Sequence, residues 1–207
     1  MFQRDYILRM IEMMGNLARR VAELTEQLEY LHMLDDESRR NCGMPLKALE
    51  ELSFESLSDM LGPEPRLYAS ELLFLRANER HTYWEQKESY QLKSLRLLAS
   101  LTEEGVLCEL RAPRLAELKA ELLPLLTAED LFACAVFFSQ GGAYNEMEDA
   151  LFQAVEREMM PGERYRMAHQ GADLLMAASE ASEAVLALCG MTGEELQQAA
   201  RELIGLA

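Results

Sequence analysis

Apolar residues recur at a helical period along nearly the whole chain. Residues 2 to 34 contain no proline and a single glycine, Gly15. Ile7, Met14, Val21 and Leu28 fall in one heptad row and Met10, Leu17, Leu24 and Leu31 in the next, so both rows lie along one face of a helix. The pattern predicts one long amphipathic helix. Its flanking heptad positions (Ile11, Ala18, Thr25; Met13, Arg20, Gln27) lack the regular charge pairs that would fix a coiled-coil partner. The stripe can therefore pack on the chain's own body, on a second copy or on another protein's helix, and the pattern alone leaves this open.

Beyond it, residues 35 to 45 mix charge with Gly43 and Pro45 and are expected to be a linker. The body, 46 to 207, is predicted helical throughout. A short helix over about 46–61 should close at Gly62-Pro63-Glu64-Pro65. Helices over about 66–78 and 83–101 follow, joined by a polar turn short enough to force an antiparallel return. Gly105 and Pro113 are read as bracketing a break, and a helix from Pro113 should end or kink at Pro124. Further helices are expected over about 127–140, 144–159, 163–179, 181–188 and 193–206, separated by Gly141-Gly142, Pro161-Gly162 and Gly190. No apolar/polar alternation is long enough for a strand.

A related hexapeptide recurs at three expected helix starts: Leu52-Ser53-Phe54-Glu55-Ser56-Leu57, Leu126-Thr127-Ala128-Glu129-Asp130-Leu131 and Met191-Thr192-Gly193-Glu194-Glu195-Leu196. Its hydroxyl cap followed by acids is what any capped helix favours. The pair of helices after the second copy resembles a tetratricopeptide hairpin. Cys134 stands at the small position, Phe137 at the aromatic of the first helix, Tyr144 at the aromatic after the turn, and Leu151 and Ala154 at the large and small positions of the second. The turn at Gly141-Gly142-Ala143 is one residue longer than the family's, Met147 replaces its alanine, and Pro161 falls two residues late. The earlier pair is more degenerate, with Tyr90, Ser94 and Leu95 in place but Lys87 where a small residue belongs. The N-terminal run Phe2-Gln3-Arg4-Asp5-Tyr6-Ile7-Leu8-Arg9-Met10-Ile11 resembles the opening of a family of bacterial proteins, mostly from Firmicutes, classed as a domain of unknown function. That likeness implies an all-helical bacterial protein and carries no catalytic residue with it.

Charge narrows the partners. Thirty-six acids against twenty bases give a net charge of −16 in 207 residues, the wrong sign for a nucleic-acid footprint. The excess is uneven. From Gly142 onward twelve acids face four arginines, whereas residues 1 to 24 carry Arg4, Arg9, Arg19 and Arg20 against Asp5, Glu12 and Glu23. No run of 18 apolar residues predicts a membrane span, and charges at Arg4, Asp5, Arg9 and Glu12 interrupt any signal-peptide core, so a cytoplasmic location is expected. The four cysteines (Cys42, Cys108, Cys134, Cys189) are scattered and read as reduced core fillers.

Chemistry-bearing motifs are scarce. Neither GxGxxG nor GxxxxGK[ST] nor GxSxG occurs. Glu29 and His32 form a single Glu-x-x-His pair, where a di-iron bundle needs two, so no metal or cofactor is expected. Trp84, the one tryptophan, sits near His81, Tyr83 and Tyr90 and is expected in a hairpin core; exposed, it would be a binding hot spot.

The reading is an all-α protein: a long N-terminal helix (1–34), a linker (35–45), and an irregular stack of antiparallel, tetratricopeptide-like hairpins (46–207). The expected function is a noncatalytic protein- or peptide-binding module, possible as a homodimer through Ile7, Met10, Met14, Leu17, Val21, Leu24, Leu28 and Leu31, with Trp84 and Tyr90 as further contact candidates. The alternative is a ligand-binding regulator or enzyme with a pocket between hairpins.

Overall fold

The computed structural model describes residues 26–103 and 105–207, and every regular element among them is helical. Residues 26–42 are helical (α1). There follow α2 (Leu46–Glu51), α3 (Phe54–Met60), α4 (Pro63–Ala77), α5 (Trp84–Ala99), α6 (Gly105–Leu122), a 3-10 turn (Leu123–Leu125), α7 (Ala128–Gln140), α8 (Tyr144–Arg157), α9 (Pro161–Ser179), α10 (Glu183–Leu188) and α11 (Gly193–Gly205).

Four local expectations change. The segment expected to be a linker at 35–45 is helical to residue 42, with only 43–45 irregular. Its charged residues sit on an exposed helical face, where Arg39 bonds Asp35 and Arg40 bonds Glu37, while Leu34 and Ser38 turn inward. The helix expected over 46–61 is two helices, because the Ser53 hydroxyl caps α3 by accepting from the Ser56 N–H. The prolines at 63 and 65 do not merely break the chain. They occupy the first turn of α4, where a missing N–H costs no bond. Pro113, read as bounding a break, lies within α6 instead; it and Glu109, whose carbonyl it leaves without an intrahelical donor, are both solvent-exposed.

Packing is sequential. α4 pairs with α5, α7 with α8, and α9 with α11, while α6 lies between α5 and α7. The larger core runs from Leu95 to Leu203 and centres on Phe137, Phe138, Leu131, Leu151 and Met147; the smaller holds Leu34, Leu49, Leu57, Leu73 and Leu97. Both threonine caps close reciprocal boxes: Thr127 with Asp130 and Thr192 with Glu195. Helix C-termini are held by basic side chains from neighbours. Lys93 Nζ donates to the carbonyls of Leu49 and Glu50, Arg66 to those of Ser58 and Leu61, and Arg157 to those of Leu123 and Leu126, cations placed where the orphan carbonyls concentrate negative charge.

Gly141 marks the tightest approach between elements. A Cβ there would lie 2.7 Å from the Cys108 carbonyl carbon and 2.9 Å from the Glu109 nitrogen, so α7 meets α6 backbone to backbone. Gly141→Ala should therefore cost about 1–3 kcal/mol. Gly162→Ala, with nothing within 4 Å and a place in the first turn of α9, should be neutral or stabilising by up to ~1 kcal/mol. Urea unfolding of the two variants distinguishes them; equal midpoints would refute the close contact.

Candidate functional site

The interaction stripe expected at the N-terminus falls largely outside the described residues: Ile7, Met10, Met14, Leu17, Val21 and Leu24 all do. Its last two members lie in α1. Leu28 is 58% exposed and Leu31 half-buried. α1 reaches the body with a different set of residues: Leu34, Ser38 and Cys42 are buried, Ser38 Oγ donates to the Met44 carbonyl at 2.8 Å, and Tyr30 Oη to the Leu75 carbonyl at 3.4 Å. At 100° per residue, the direction of Leu28 lies about 100° from the middle of this seated face. Leu28 thus turns toward solvent, whereas Leu31 lies nearer the seated face, and both border a cleft with Leu46, Glu50 and Arg76.

Trp84 is not a core residue. It is 68% exposed at the first position of α5, beside an equally exposed Tyr83. Tyr90, one and a half turns further on, is buried, so the structure does not bring the two together. Tyr90 belongs to a polar knot instead. Arg76 bonds Glu50 at 2.7 Å and Glu79 at 3.2 Å, and its guanidinium carbon lies 5.5 Å from the Tyr90 ring centre. Burial, then the Glu50 carboxylate, pushes the Tyr90 phenol up, and burial pushes the Lys93 ammonium down. Every cation of the knot is occupied in holding α2 and α4 to α5, which is structural work.

Besides the clefts against α1, three lie among the described helices of the body. One of about 250 Å³ lies against Arg66, Leu67, Ser100 and Leu107, but the guanidinium there already bonds Ser100 and two carbonyls of the α3 end. A second, about 330 Å³, is floored by the Arg96–Asp130 pair. The third and largest, about 670 Å³, runs between α6, the α7–α8 turn and α10, and is walled by Val106, Ala116, Tyr144, Val185 and Leu188. Neither the periodicity of α6 nor that of α10 separately signals this groove, since it exists only where the two meet. Val106, Leu110 and Leu188 are all exposed, Val106 and Leu110 on a helix rich in charge.

Reactive groups do not converge on these clefts. Burial pushes the Cys42 thiol up to about 11 and the Cys134 thiol to about 12, which keeps both protonated and unreactive. Among the described residues no three His, Cys, Asp or Glu side chains gather in a metal-ligating cluster. No described helix is long and apolar enough to cross a membrane. Carboxylates instead crowd on the outer surface: burial, then Asp149, Glu195 and Glu202, raises the Glu148 carboxyl between α8 and α11.

A family model described as a family of unknown function (DUF6483) matches residues 1–206. No curated protein and no solved structure matches the chain.

Proposed function

We propose, for a chain that belongs to this family of unknown function, a noncatalytic protein-interaction role: a cytoplasmic scaffold of tetratricopeptide-like hairpins that associates through the apolar stripe of a long N-terminal helix. The observation that carries it is the exposure of Leu28 at the end of that stripe while α1 is seated on α2 and α4 by another face. Large apolar side chains that face water, as Leu28 does, are unstable there unless another chain covers them. A second copy is the simplest occupant, because each copy supplies the same surface. Trp84 and Tyr83 form a second exposed aromatic surface at the α4–α5 turn, of the kind enriched in binding hot spots.

Co-expression of two differently tagged full-length copies tests this. Wild-type copies should co-purify, and Leu17→Lys with Leu24→Lys should abolish co-purification while leaving the far-UV circular dichroism spectrum helical. Retention of the partner copy by the doubly substituted chain would contradict the reading.

A further inference from the structure

The groove between α6, α8 and α10 has the character of a helix-binding site. Val106 and Leu188 on its rim are 71% and 87% exposed. Large apolar side chains this exposed, grouped on one concave surface, mark an interaction site more often than an accident of packing. Polar groups on the walls set the sign of the occupant. The charged residues that line it are Glu109 and Glu146, and no Lys or Arg is among the described lining residues. Lys119 pairs with Glu146 at 2.8 Å but is itself buried. An apolar helix face with cationic flanks fits such a groove.

This chain carries a segment of that chemistry. Residues 1 to 24 hold six stripe residues, from Ile7 to Leu24, with four arginines against three acids, in a protein that is otherwise strongly acidic. Stripe-on-stripe pairing has nothing to fix it, since the flanking heptad positions carry no alternating charges. Docking onto the groove instead places arginines beside Glu109 and the acid-rich segment from Gly142 onward, and offsets repulsion between two copies of net charge −16. α1 is seated on α2 and α4, on elements other than those that form the groove.

We propose that the α6–α8–α10 groove of each copy receives the N-terminal stripe of a second copy, and that the reciprocal exchange closes a two-fold dimer. The inference rests on the self-association reading above and names the surface that the stripe meets. Two identical exchanged contacts leave neither groove nor stripe open, so the assembly stops at two.

Sedimentation equilibrium on full-length chains tests it with two variants. One carries Leu17→Lys and Leu24→Lys in the stripe, the other Val106→Lys and Leu188→Lys in the groove. The groove positions are solvent-exposed, so helicity and urea midpoint should stay close to wild type. Each variant alone should dimerise at least about thirtyfold more weakly, the size of a hot-spot loss. An equimolar mixture should regain a heterodimer at concentrations where each alone is monomeric, because the stripe variant keeps an intact groove and the groove variant an intact stripe. A mixture that stays monomeric, or a groove variant that dimerises like wild type, would overturn the groove assignment and leave stripe-mediated association standing. A wild-type chain that is monomeric throughout would overturn both.

Discussion

Replacing Phe137 with alanine is expected to lower the unfolding free energy by about 3–5 kcal/mol. Phe137 is fully buried on α7 and meets Phe138 edge to face, with ring centres 6.4 Å apart and planes at 84°. Its side chain belongs to the larger core, which joins α5 and α6 to α8, α9 and α11, so the cavity left behind would lie where several helices converge and none can close in without losing other contacts. Against a total of about 5–15 kcal/mol for a domain, such a loss is a large share. Trp84→Ala removes a bigger ring from a site that is 68% exposed, and should stay within about 0.5 kcal/mol. Urea denaturation followed by circular dichroism reads both. Similar losses at the two positions would mean that the burial of α7 or the exposure of α5's first turn is wrong.

The second large effect is expected at Asp130. Its carboxylate accepts from Arg96 Nε at 2.7 Å and Arg96 Nη2 at 3.0 Å, and from the Thr127 N–H at 3.0 Å. One side chain thus caps α7 and ties α5 to it across the hairpins. Asp130→Ala leaves a partly buried guanidinium without its partner and removes the Asp130 half of the capping box, for an expected cost of about 3 kcal/mol, at the low end for a broken buried pair because Arg96 keeps some contact with water. Burial by itself would raise the Asp130 carboxyl, but the Arg96 bond, the Thr127 bonds and the Arg96 charge outweigh it and hold it below the usual carboxylate value. A carboxyl lowered in the folded state adds stability that is complete above its unfolded value of about 3.9 and is lost as pH falls from there through the folded value. Asp130→Asn should therefore be markedly less stable than wild type at pH 7 and approach it as pH falls through the lowered folded value. A gap between the two that stays constant across the acid range would show that Arg96 does not set the charge of Asp130.

Local signals were legible wherever a few neighbouring residues decide the structure. The recurring hexapeptide does mark three helix starts, with Ser53, Thr127 and Thr192 each accepting the expected N–H, because a cap is a contact between residues three apart. Helical period and glycine turns likewise placed α7, α8 and α11 within a residue or two. Proline was harder to interpret. Pro63 and Pro65 start α4 and Pro113 sits inside α6, and whether a proline stops, starts or rides in a helix depends on neighbours that sequence does not place. The charged run 35–42 looked irregular because its exposed face is dense with charge, while its inward residues Leu34, Ser38 and Cys42 are too mixed in polarity to read as one stripe.

Burial at helix ends was the least legible. Trp84 is seven residues from buried Gln91 and so shares its helix face, yet coverage at a helix's first turn depends on how far its neighbours extend, which no pattern within α5 records. The groove escaped for the same reason, since α7 brings α6 and α8 together and α10 is tied to the α7–α8 turn just beyond its end, where Cys189 Sγ donates to the Gly142 carbonyl.

The proposed self-association requires the N-terminal stripe to join one copy to another. Sedimentation equilibrium of the unmodified full-length chain, across a wide range of loading concentrations at moderate salt, tests it most directly. A weight-average mass that climbs with concentration from that of the 23.5 kDa chain to a plateau at twice that value is the predicted result, and a mass that stays at the single-chain value at every concentration would contradict it.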